Sequence, residues 1–328
     1  MMHATLSKAV SLVLLSALAA AQPNPWTEKP FLETPGQFHF AIVGDRTGGH
    51  REGVFEAALE KANFLRPCFV MSVGDFIEGY EHDGPTIDQE WDEVATAVDN
   101  ALDMRFFYLP GNHDIHWKEE TGLVSEERWR ARFGRTYYHF VHENVLFLCL
   151  CTEDPPPSSL SDTQIAYFKE ALEEHPDARW TCVFMHKPMW ALSEAKGWDA
   201  FEALLQDRPY TVFAGHWHDY AKFERHGRAH YVLGTCGGSS QLRGIAHGEI
   251  DHLAWVTMTD DGPRVANLFL DGIASDVVRT ERTRGFAAAL SDGGFVTQEP
   301  LAIGSQFFSG GTATLKFKNP LDAPVRVK

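Results

Sequence analysis

Two histidines separated by a single residue are the first pair in this sequence that could do chemistry together. His216 and His218 follow the apolar run 212–214 in the stretch Gly215-His216-Trp217-His218. On an extended backbone alternate side chains lie on the same side, so both imidazoles could reach one metal ion or two adjacent ions. A His-x-His pair alone is usually a chance surface pair, and it needs support from other ligand-type residues.

Other residues of ligand type also stand just past apolar runs. They are Asp45, Asp75, Asn112, His113 and His186. Carboxylate, amide oxygen and imidazole together suit borderline ions such as Zn, Mn, Fe or Co. In open α/β sheets, ligands lie beyond the carboxyl ends of the strands. Five separate strands that end in Asp, Asn or His therefore predict one binding site at a sheet edge.

The elements that must position these residues alternate between strand and helix, which is typical of an α/β fold. The sequence predicts strands at 38–45, 68–75, 105–114, 180–188 and 210–218, and a hairpin over 137–154 that turns at Glu143-Asn144. It predicts helices at 53–66, 86–102, 161–175 and 198–206. From residue 219 onward it predicts strands and turns only.

The motifs GD, GD, GNHD, H-x-P and GH-x-H occur in this order, at residues 44–45, 74–75, 111–114, 186–188 and 215–218. This ordered set resembles the calcineurin-like metallophosphoesterase superfamily, which includes the purple acid phosphatases. The resemblance covers about residues 38–260. It implies a four-layer α/β/β/α sandwich, in which a pair of sheets is flanked by helices, with two metal ions at the sheet edge.

The resemblance also implies a ligand set for two ions of Mn, Fe, Zn or Co. Asp75 would bridge both ions. Asn112, His186 and His216 would hold one ion, and Asp45 and His218 would help to hold the other.

Three further residues have roles near the substrate in this scheme. His113 would act as the leaving-group acid or as a phosphate contact, and Asp114 would orient its ring. Arg46 has two interpretations: a solvated arginine paired with Glu78, or a guanidinium that binds the substrate phosphate in a bidentate manner. Lys187 is expected to face solvent.

The first motif departs from the pattern of the superfamily. Most members have Asp-x-His, whereas this chain has Asp45-Arg46-Thr47, and threonine is a poor ligand. The purple acid phosphatases use a tyrosine three residues after the bridging Asp, where this chain has Glu78. Glu78, Tyr80, His50 or water could substitute. A single-metal enzyme is therefore an open alternative.

The expected reaction is hydrolysis of a small phosphomonoester or phosphodiester. A water or hydroxide bound to two ions about 3.5–4 Å apart would attack phosphorus. His113 would then protonate the leaving oxygen. The alternative is a non-catalytic exported binding or surface module that retains the same fold.

Charge and the N-terminus bound the partners and the location. A net charge of −16 repels phosphate backbones, which argues against long nucleic acid as a partner. Residues 1–21 combine Lys8, a short apolar run and Ala19-x-Ala21, which predicts a secretory signal and export to the periplasm or the extracellular space. The run is too short for a comfortable membrane span, so no stable span is expected after signal removal; an uncleaved anchor is the alternative.

The remaining chain divides into a predicted phosphoesterase domain at 31–284 and a β-rich extension or incomplete β module at 285–328. In the extension, alternation at 313–317 and 325–327 predicts a hairpin. The five cysteines are interpreted as buried small hydrophobes with at most one disulfide. Histidines without motif context, such as His139 and His175, are interpreted as structural or surface residues.

Overall fold

The structure is a computed structural model that describes residues 36–80, 84–118, 122–270, 272–292, 296–298 and 315–319. The predicted signal segment 1–21 and the predicted strand at 325–327 lie outside these residues. The strands are β1 Phe38–Val43, β2 Phe69–Ser72, β3 Arg105–Phe107, β4 His116–Lys118, β5 Gly122–Val124, β6 Tyr138–His142, β7 Val145–Cys149, β8 Trp180–Phe184, β9 Tyr210–Ala214, β10 Ala221–Arg225, β11 Arg228–Val232, β12 His252–Thr259, β13 Gly262–Phe269, β14 Ile273–Ser275, β15 Val296–Gln298 and β16 Leu315–Phe317. The helices are α1 Val54–Leu65, α2 Gly84–Ala101, α3 Glu126–Phe133, α4 Asp162–Glu174, α5 Trp198–Ala203 and α6 Glu281–Asp292.

Two six-stranded mixed sheets form the centre of the fold. The first has the strand order β14-β13-β12-β1-β2-β3, and the second has the order β10-β11-β9-β8-β7-β6. In the first sheet β1, β2 and β3 run parallel, whereas β12 pairs with β1 antiparallel. In the second sheet β7, β8, β9 and β11 run parallel to one another, whereas the edge strands β6 and β10 are antiparallel to β7 and β11. The strands that precede the predicted ligands therefore run parallel to one another within each sheet, and all of them except the edge strand β3 are central.

An aromatic core lies between the two sheets. Phe40 and Phe69 of the first sheet are stacked with ring centroids 5.2 Å apart, and Phe147 of the second sheet meets both rings edge-on. Phe184 joins the same buried cluster. Since side chains alternate along a strand, the residues between these inward-facing ones point to the outer faces of the sheets.

Helices cover both outer faces. Ala41 and Val43 pack with Phe55 of α1 and Trp91 of α2 in a second buried cluster. On the other sheet, Leu146 and Leu148 pack with Phe168 of α4 and Phe201 of α5. The layers are thus helix, sheet, sheet and helix, which confirms the predicted α/β/β/α sandwich.

Several elements differ from the expectation. The ligand-bearing strands end earlier than predicted, at residues 43, 72, 107, 184 and 214, so the ligand residues lie in loops. Two helices were not predicted. The short α3 buries a single residue of its own, Trp129, and α6 occupies a region expected to hold strands and turns only. Helix α6 also runs across residue 285, where the predicted domain boundary falls.

The tail and the cysteines complete the comparison. Leu315–Phe317 is a strand, as predicted, and its partner in the described chain is Val296–Gln298. All five cysteines are free, and Cys68 is exposed, so the prediction that every cysteine is buried is wrong for that residue. Within the described residues, no helix combines the length and the apolar character that crossing a membrane requires.

Candidate metal centre

The loops that follow β1, β2, β3, β8 and β9 bring the predicted ligands together. Asp45, Asp75, His216 and His218 all have a left-handed backbone, with φ between 48° and 75°. This conformation costs a non-glycine residue about 1–3 kcal/mol and persists only where the surrounding structure enforces it. Such strain at four predicted metal ligands marks these loops as a functional site.

Two glycines allow the loops to approach each other. A Cβ at Gly111 would lie 2.1 Å from Asp75 Oδ1, and a Cβ at Gly48 would lie 2.9 Å from His218 Cε1. Neither position has room for a side chain. The absence of bulk in the first loop is therefore explained by its contact with His218, which follows a strand of the other sheet.

His186 lies at the centre of the first group of ligands. Its Nδ1–H donates to the carbonyl of Val73 at 2.8 Å, so a neutral ring presents its Nε2 lone pair to the site. That Nε2 lies 3.1 Å from Asp75 Oδ2, 3.0 Å from Asn112 Oδ1 and 3.2 Å from His216 Nδ1. One proton cannot serve all these acceptors at once, whereas a cation can.

A second group contains Asp45 and His218. Asp45 is fully buried, its Oδ1 accepts the backbone N–H of His216 at 2.8 Å, and its Oδ2 has no hydrogen-bond partner among the described residues. His218 Nδ1–H donates to the carbonyl of Ser239 at 2.7 Å, which leaves Nε2 facing Asp45 Oδ1 at 3.5 Å. A buried carboxylate oxygen without a partner is the feature that a bound cation would satisfy.

The two groups share one residue. The ligand atoms of Asp75, His186 and His216 all lie within 4.8 Å of one another, as do those of Asp45, Asp75 and His218. Asp75 therefore occupies the position at which a carboxylate would bridge two ions. The donor set fits a pair of borderline divalent cations.

The pKa values of Asp75, His186 and His216 are shifted by burial and by the charges that these residues exert on one another. Burial lowers the pKa of His186, but the charge of Asp75 and the hydrogen bond to it outweigh burial and raise that pKa to about 9. Burial raises the pKa of Asp75, but His186 and His113 lower it to a net value well below its usual range. Burial, followed by the charge of His186, lowers the pKa of His216 to about 3. His216 is therefore neutral and free to coordinate.

Asp114 supports the loops rather than the His113 ring. Its carboxylate accepts the backbone N–H groups of Asp75, Phe76 and Gly111 at 2.8–2.9 Å. Burial and the charge of Asp75 raise its pKa to about 7. The prediction that Asp114 orients His113 is wrong, because the group at His113 Nδ1 is the carbonyl of Glu78, at 2.8 Å.

His113 lies at the rim of the site. Its backbone N–H donates to Asp75 Oδ1 at 2.9 Å, and the ring of Tyr80 stands edge-on to its imidazole at 4.6 Å. The side chain is half-buried, and its Nε2 would be 3.5 Å from a Cβ at Gly48. His113 is thus fixed next to the bridging residue while its outer nitrogen points along the first loop.

Arg46 is buried under the first loop. Its Nη1 donates to the carbonyl of Phe76 at 2.8 Å, and its guanidinium lies 6.0 Å from the ring centroid of Phe55. None of the described contacts of the guanidinium is with a predicted metal ligand. Neither interpretation of Arg46 given above describes this environment, because the residue is only 5% exposed and Glu78 makes other bonds.

The residues proposed as substitutes for the missing first-motif histidine have different environments. Glu78 Oε1 accepts the backbone N–H groups of Gly49 and His50 and so holds the first loop in place. The Tyr80 hydroxyl accepts from Asn112 Nδ2 at 2.7 Å, which places it beside a predicted ligand. Tyr80 is therefore the candidate with a direct contact to the ligand set.

Sequence reasoning missed the segment that follows β11. Thr235 Oγ1 and the backbone N–H of Gly238 both donate to the carbonyl of Asp45, at 2.7 and 2.8 Å. The carbonyl of Ser239 fixes the His218 ring. The adjacent glycines Gly237-Gly238 after a strand were the available signal.

A second prediction at the rim is wrong. Lys187 does not face solvent: it is 8% exposed, and its Nζ pairs with Glu153 at 2.7 Å. Beyond it, Trp190 and Trp217 line a cavity of about 520 Å³ together with Phe223 and Arg284. Trp217 stands between the ligands His216 and His218 in sequence, so this cavity borders the loop that carries them.

The comparisons with known proteins identify the family of the chain. The model of the calcineurin-like phosphoesterase family matches residues 38–220, which is more than half of the chain. The chain therefore belongs to the calcineurin-like phosphoesterase family. No curated protein sequence matches it.

Several solved structures share the fold. They include a dimetal phosphatase from Danio rerio (TM-score 0.53, 15% identity, 73% of this chain and 98% of that one) and GAP50, the anchor in the inner membrane complex of Plasmodium (TM-score 0.53, 16% identity, 73% and 88%). A purple acid phosphatase from yellow lupin is similar at a TM-score of 0.54 and 15% identity over 76% of this chain. This chain covers 56% of the lupin enzyme. At these identities the likeness shows a shared fold only.

Proposed function

We propose that this chain is an exported, metal-dependent phosphoesterase that hydrolyses a small phosphomonoester or phosphodiester. The observation that carries the proposal is the position of Asp75, which belongs to both groups of close ligand atoms. A carboxylate shared by two ligand groups is the arrangement used by two-metal hydrolytic sites. Membership of the phosphoesterase family supports the same reaction class.

In this proposal the ligand residues form two sets. One ion would be held by Asp75, Asn112, His186 and His216, and the other by Asp45, Asp75 and His218. Bound ions would activate water and neutralise charge on the phosphoryl oxygens. The hydrogen bonds from His186 and His218 to the carbonyls of Val73 and Ser239 fix which nitrogen each ring presents.

His113 would protonate the leaving oxygen. An imidazolium carries protons on both nitrogens, and the Glu78 carbonyl accepts the one on Nδ1. This acceptor holds the ring and aims Nε2–H outward, where a leaving group would stand. Because the bond to Glu78 persists after the proton is given up, the ring keeps its orientation through the reaction.

The test is a panel of aryl phosphomonoesters, phosphodiesters, cyclic nucleotides and nucleotide sugars, each with Mn, Zn, Fe and Co. We expect turnover that requires metal and that Asp75→Asn reduces to background. Full activity of Asp75→Asn would overturn the mechanism. Metal counting by native mass spectrometry distinguishes a two-metal from a one-metal enzyme.

The alternative is a non-catalytic binding or surface module, and one protein with the same fold is named an anchor. The intact ligand set together with His113 favours hydrolysis, since binding alone does not require a leaving-group acid. A chain that holds two ions yet turns over none of the panel would favour the module instead.

Export is part of the proposal and rests on the sequence of residues 1–21. In a bacterial host with a general secretion pathway, we expect the protein to accumulate outside the cytoplasm with Gln22 as its first residue. N-terminal sequencing of the recovered protein tests this. Retention of residues 1–21 on a membrane-bound product would indicate an uncleaved anchor.

A further inference from the structure

A second group of metal-type ligands lies on the surface, two strands away from β8. It consists of His139 on the edge strand β6, Glu174 at the last position of α4 and His175 immediately after it. Each side chain offers one ligand atom, and the three atoms all lie within 4.8 Å of one another. The sequence alone gives these residues no motif context, because the fold brings together positions 35 residues apart.

The backbones of both histidines are fixed before any ion binds. His139 pairs with Leu148 in the ladder between β6 and β7. The carbonyl of His175 accepts from Arg208 Nη2 at 3.0 Å. Preformed ligand positions reduce the ordering cost of binding.

The ring of His139 is also oriented. His139 Nδ1 is hydrogen-bonded to the Tyr167 hydroxyl at 2.8 Å, so one ring nitrogen is held while the other is available. The rings of His139 and His175 are 5.6 Å apart between centroids and inclined at 64°, so they do not stack on each other. An oriented imidazole with an outer hydrogen-bond partner is the usual setting of a metal-binding histidine.

Glu174 and the C-terminus of α4 supply negative charge at this group, and the Arg208 guanidinium lies on the backbone carbonyl of His175. The C-terminus of a helix carries partial negative charge, and the last turn of α4 contains no basic residue. Glu174 adds a carboxylate at the same place, and it is exposed, so an ion can enter from solvent. His175 and His139 are half-buried, which limits the solvent positions left around the ion.

We propose that His139, Glu174 and His175 bind one borderline divalent cation, with zinc as the probe, and that this ion links the end of α4 to the edge strand β6. Two imidazoles and one carboxylate form a common zinc ligand set that leaves a fourth position for water. The site is separate from the candidate metal centre and shares no residue with it. By joining α4 to β6, the bound ion would stabilise the folded chain.

The test is zinc titration of the full chain after removal of metals by a chelator. Against the wild-type protein, we expect His139→Gln/His175→Gln to bind one equivalent of zinc fewer and to lose the zinc-dependent rise in melting temperature. The metal-dependent hydrolysis of the phosphoester panel should be unchanged. Asp75→Asn should retain the surface equivalent, which separates failure of this proposal from failure of the proposed function.

Glu174→Gln provides a second test of the site that leaves both histidines in place. Because Glu174 is exposed, the substitution leaves the fold intact, and we expect zinc affinity at this site to fall by about tenfold or more, at least the loss seen when metal-site hydrogen-bond partners are removed. Glu173→Gln is the matched control on the same turn: its carboxylate lies 3.9 Å from Lys169 and outside the ligand group. Equal stoichiometry and affinity in the wild type, Glu174→Gln and the double variant would overturn the proposal.

Discussion

Three imidazoles at the candidate metal centre are oriented by the same kind of hydrogen bond. His113, His186 and His218 each use Nδ1–H to donate to a backbone carbonyl, at 2.7–2.8 Å. The carbonyls of Val73 and Glu78 follow β2 and that of Ser239 follows β11, so each ring is oriented by a part of the chain other than its own. Each ring therefore presents Nε2 to the site, and its tautomer is fixed by hydrogen bonding rather than by the ion.

Replacing the proposed acid should affect substrates unequally. We expect His113→Gln to lower kcat by about 10²–10⁴-fold for esters with poor leaving groups, because general acid catalysis contributes about that much. Esters of acidic phenols, which leave without protonation, should lose far less. Steady-state kinetics on an aryl phosphate series measures this, with metal content as the control. A uniform loss across the series would exclude His113 as the acid.

The glycine at position 111 should prove indispensable. Gly111→Ala would place Cβ 2.1 Å from Asp75 Oδ1, so we expect loss of the metal ions and of activity. Gly285→Ala is the matched control, because nothing lies within 4 Å of its Cβ and the residue is in α6. The control should keep full activity and gain up to about 1 kcal/mol in stability. The test is the metal content of both purified variants. Normal metal binding by Gly111→Ala would contradict this prediction.

At the scale of residues, the sequence predicted which side chains of the motifs come together. It did not predict which backbone and side-chain groups of other loops those motif residues contact. Asp45, Asp75, Asn112, His186, His216 and His218 converge, because strand ends and ligand chemistry are both legible in a sequence. The partners of Asp114, Arg46 and Lys187 were not predictable, because other loops supply them: backbone amides for Asp114, a backbone carbonyl for Arg46 and the carboxylate of Glu153 for Lys187. A motif states which side chains are present, whereas burial decides which of them reach the site.

Elements also couple to the site through buried polar contacts. His252, at the start of β12, is fully buried, and its Nε2 accepts the backbone N–H of Gly234 at 2.8 Å. Burial lowers its pKa to about 4. Protonation of Nε2 would break this bond and leave a charge in the core, next to the segment that holds Asp45.

The stability of the protein should therefore depend on His252 in mild acid. With a folded pKa of about 4 and an unfolded value near 6.5, the contribution is complete above pH 6.5 and is lost as the pH falls toward 4. This corresponds to roughly 3 kcal/mol, at about 1.4 kcal/mol per pKa unit. His252→Gln, which retains an acceptor, should reduce the slope of unfolding free energy between pH 6.5 and 4.

Denaturant unfolding at several pH values measures this slope. The control is His247→Gln in the turn at residues 245–247, which should leave the slope unchanged. An unaltered slope in His252→Gln would show that other groups carry the acid dependence.

The sequence predicted the long elements and missed the short ones for a physical reason. Helices α1, α2 and α4 have apolar residues at helical spacing and bury one face, so their existence and bounds follow from periodicity. Helix α3 buries only Trp129 of its own, and α6 contains Gly285 and a polar first turn, so their periodicity is weak. Tertiary contacts rather than local pattern stabilise them.

For the whole molecule, the number of sheets is the main feature that hydrophobic periodicity could not predict. Alternation of strand and helix predicts an α/β sheet, but it does not say that β1–β3 and β7–β9 belong to different sheets. Only the resemblance to a family implied the pair of sheets. The site follows from that pairing, because it forms where strand ends of both sheets face each other across the aromatic core.

This arrangement predicts which parts of the chain the site requires. Strands β15 and β16 pair with each other in a two-stranded sheet, and no ligand-bearing strand is their partner among the described residues. A chain that ends at Asp292 should therefore keep its metal content and activity, and its melting temperature should shift by only a few degrees.

A shorter chain that ends at residue 250 should behave differently, although it contains every predicted ligand and all of the matched region 38–220. It lacks β12, which pairs along β1 from Phe38 to Ile42, and so it leaves the strand that carries Asp45 at an exposed sheet edge. We expect this chain to aggregate or to lose metal, since an unpaired apolar strand is unstable in water.

Circular dichroism, metal analysis and turnover of both truncations measure the outcome. Loss of activity in the chain ending at Asp292 would show that the C-terminal segment belongs to the catalytic domain, and a stable, active chain ending at 250 would show that β12 is dispensable.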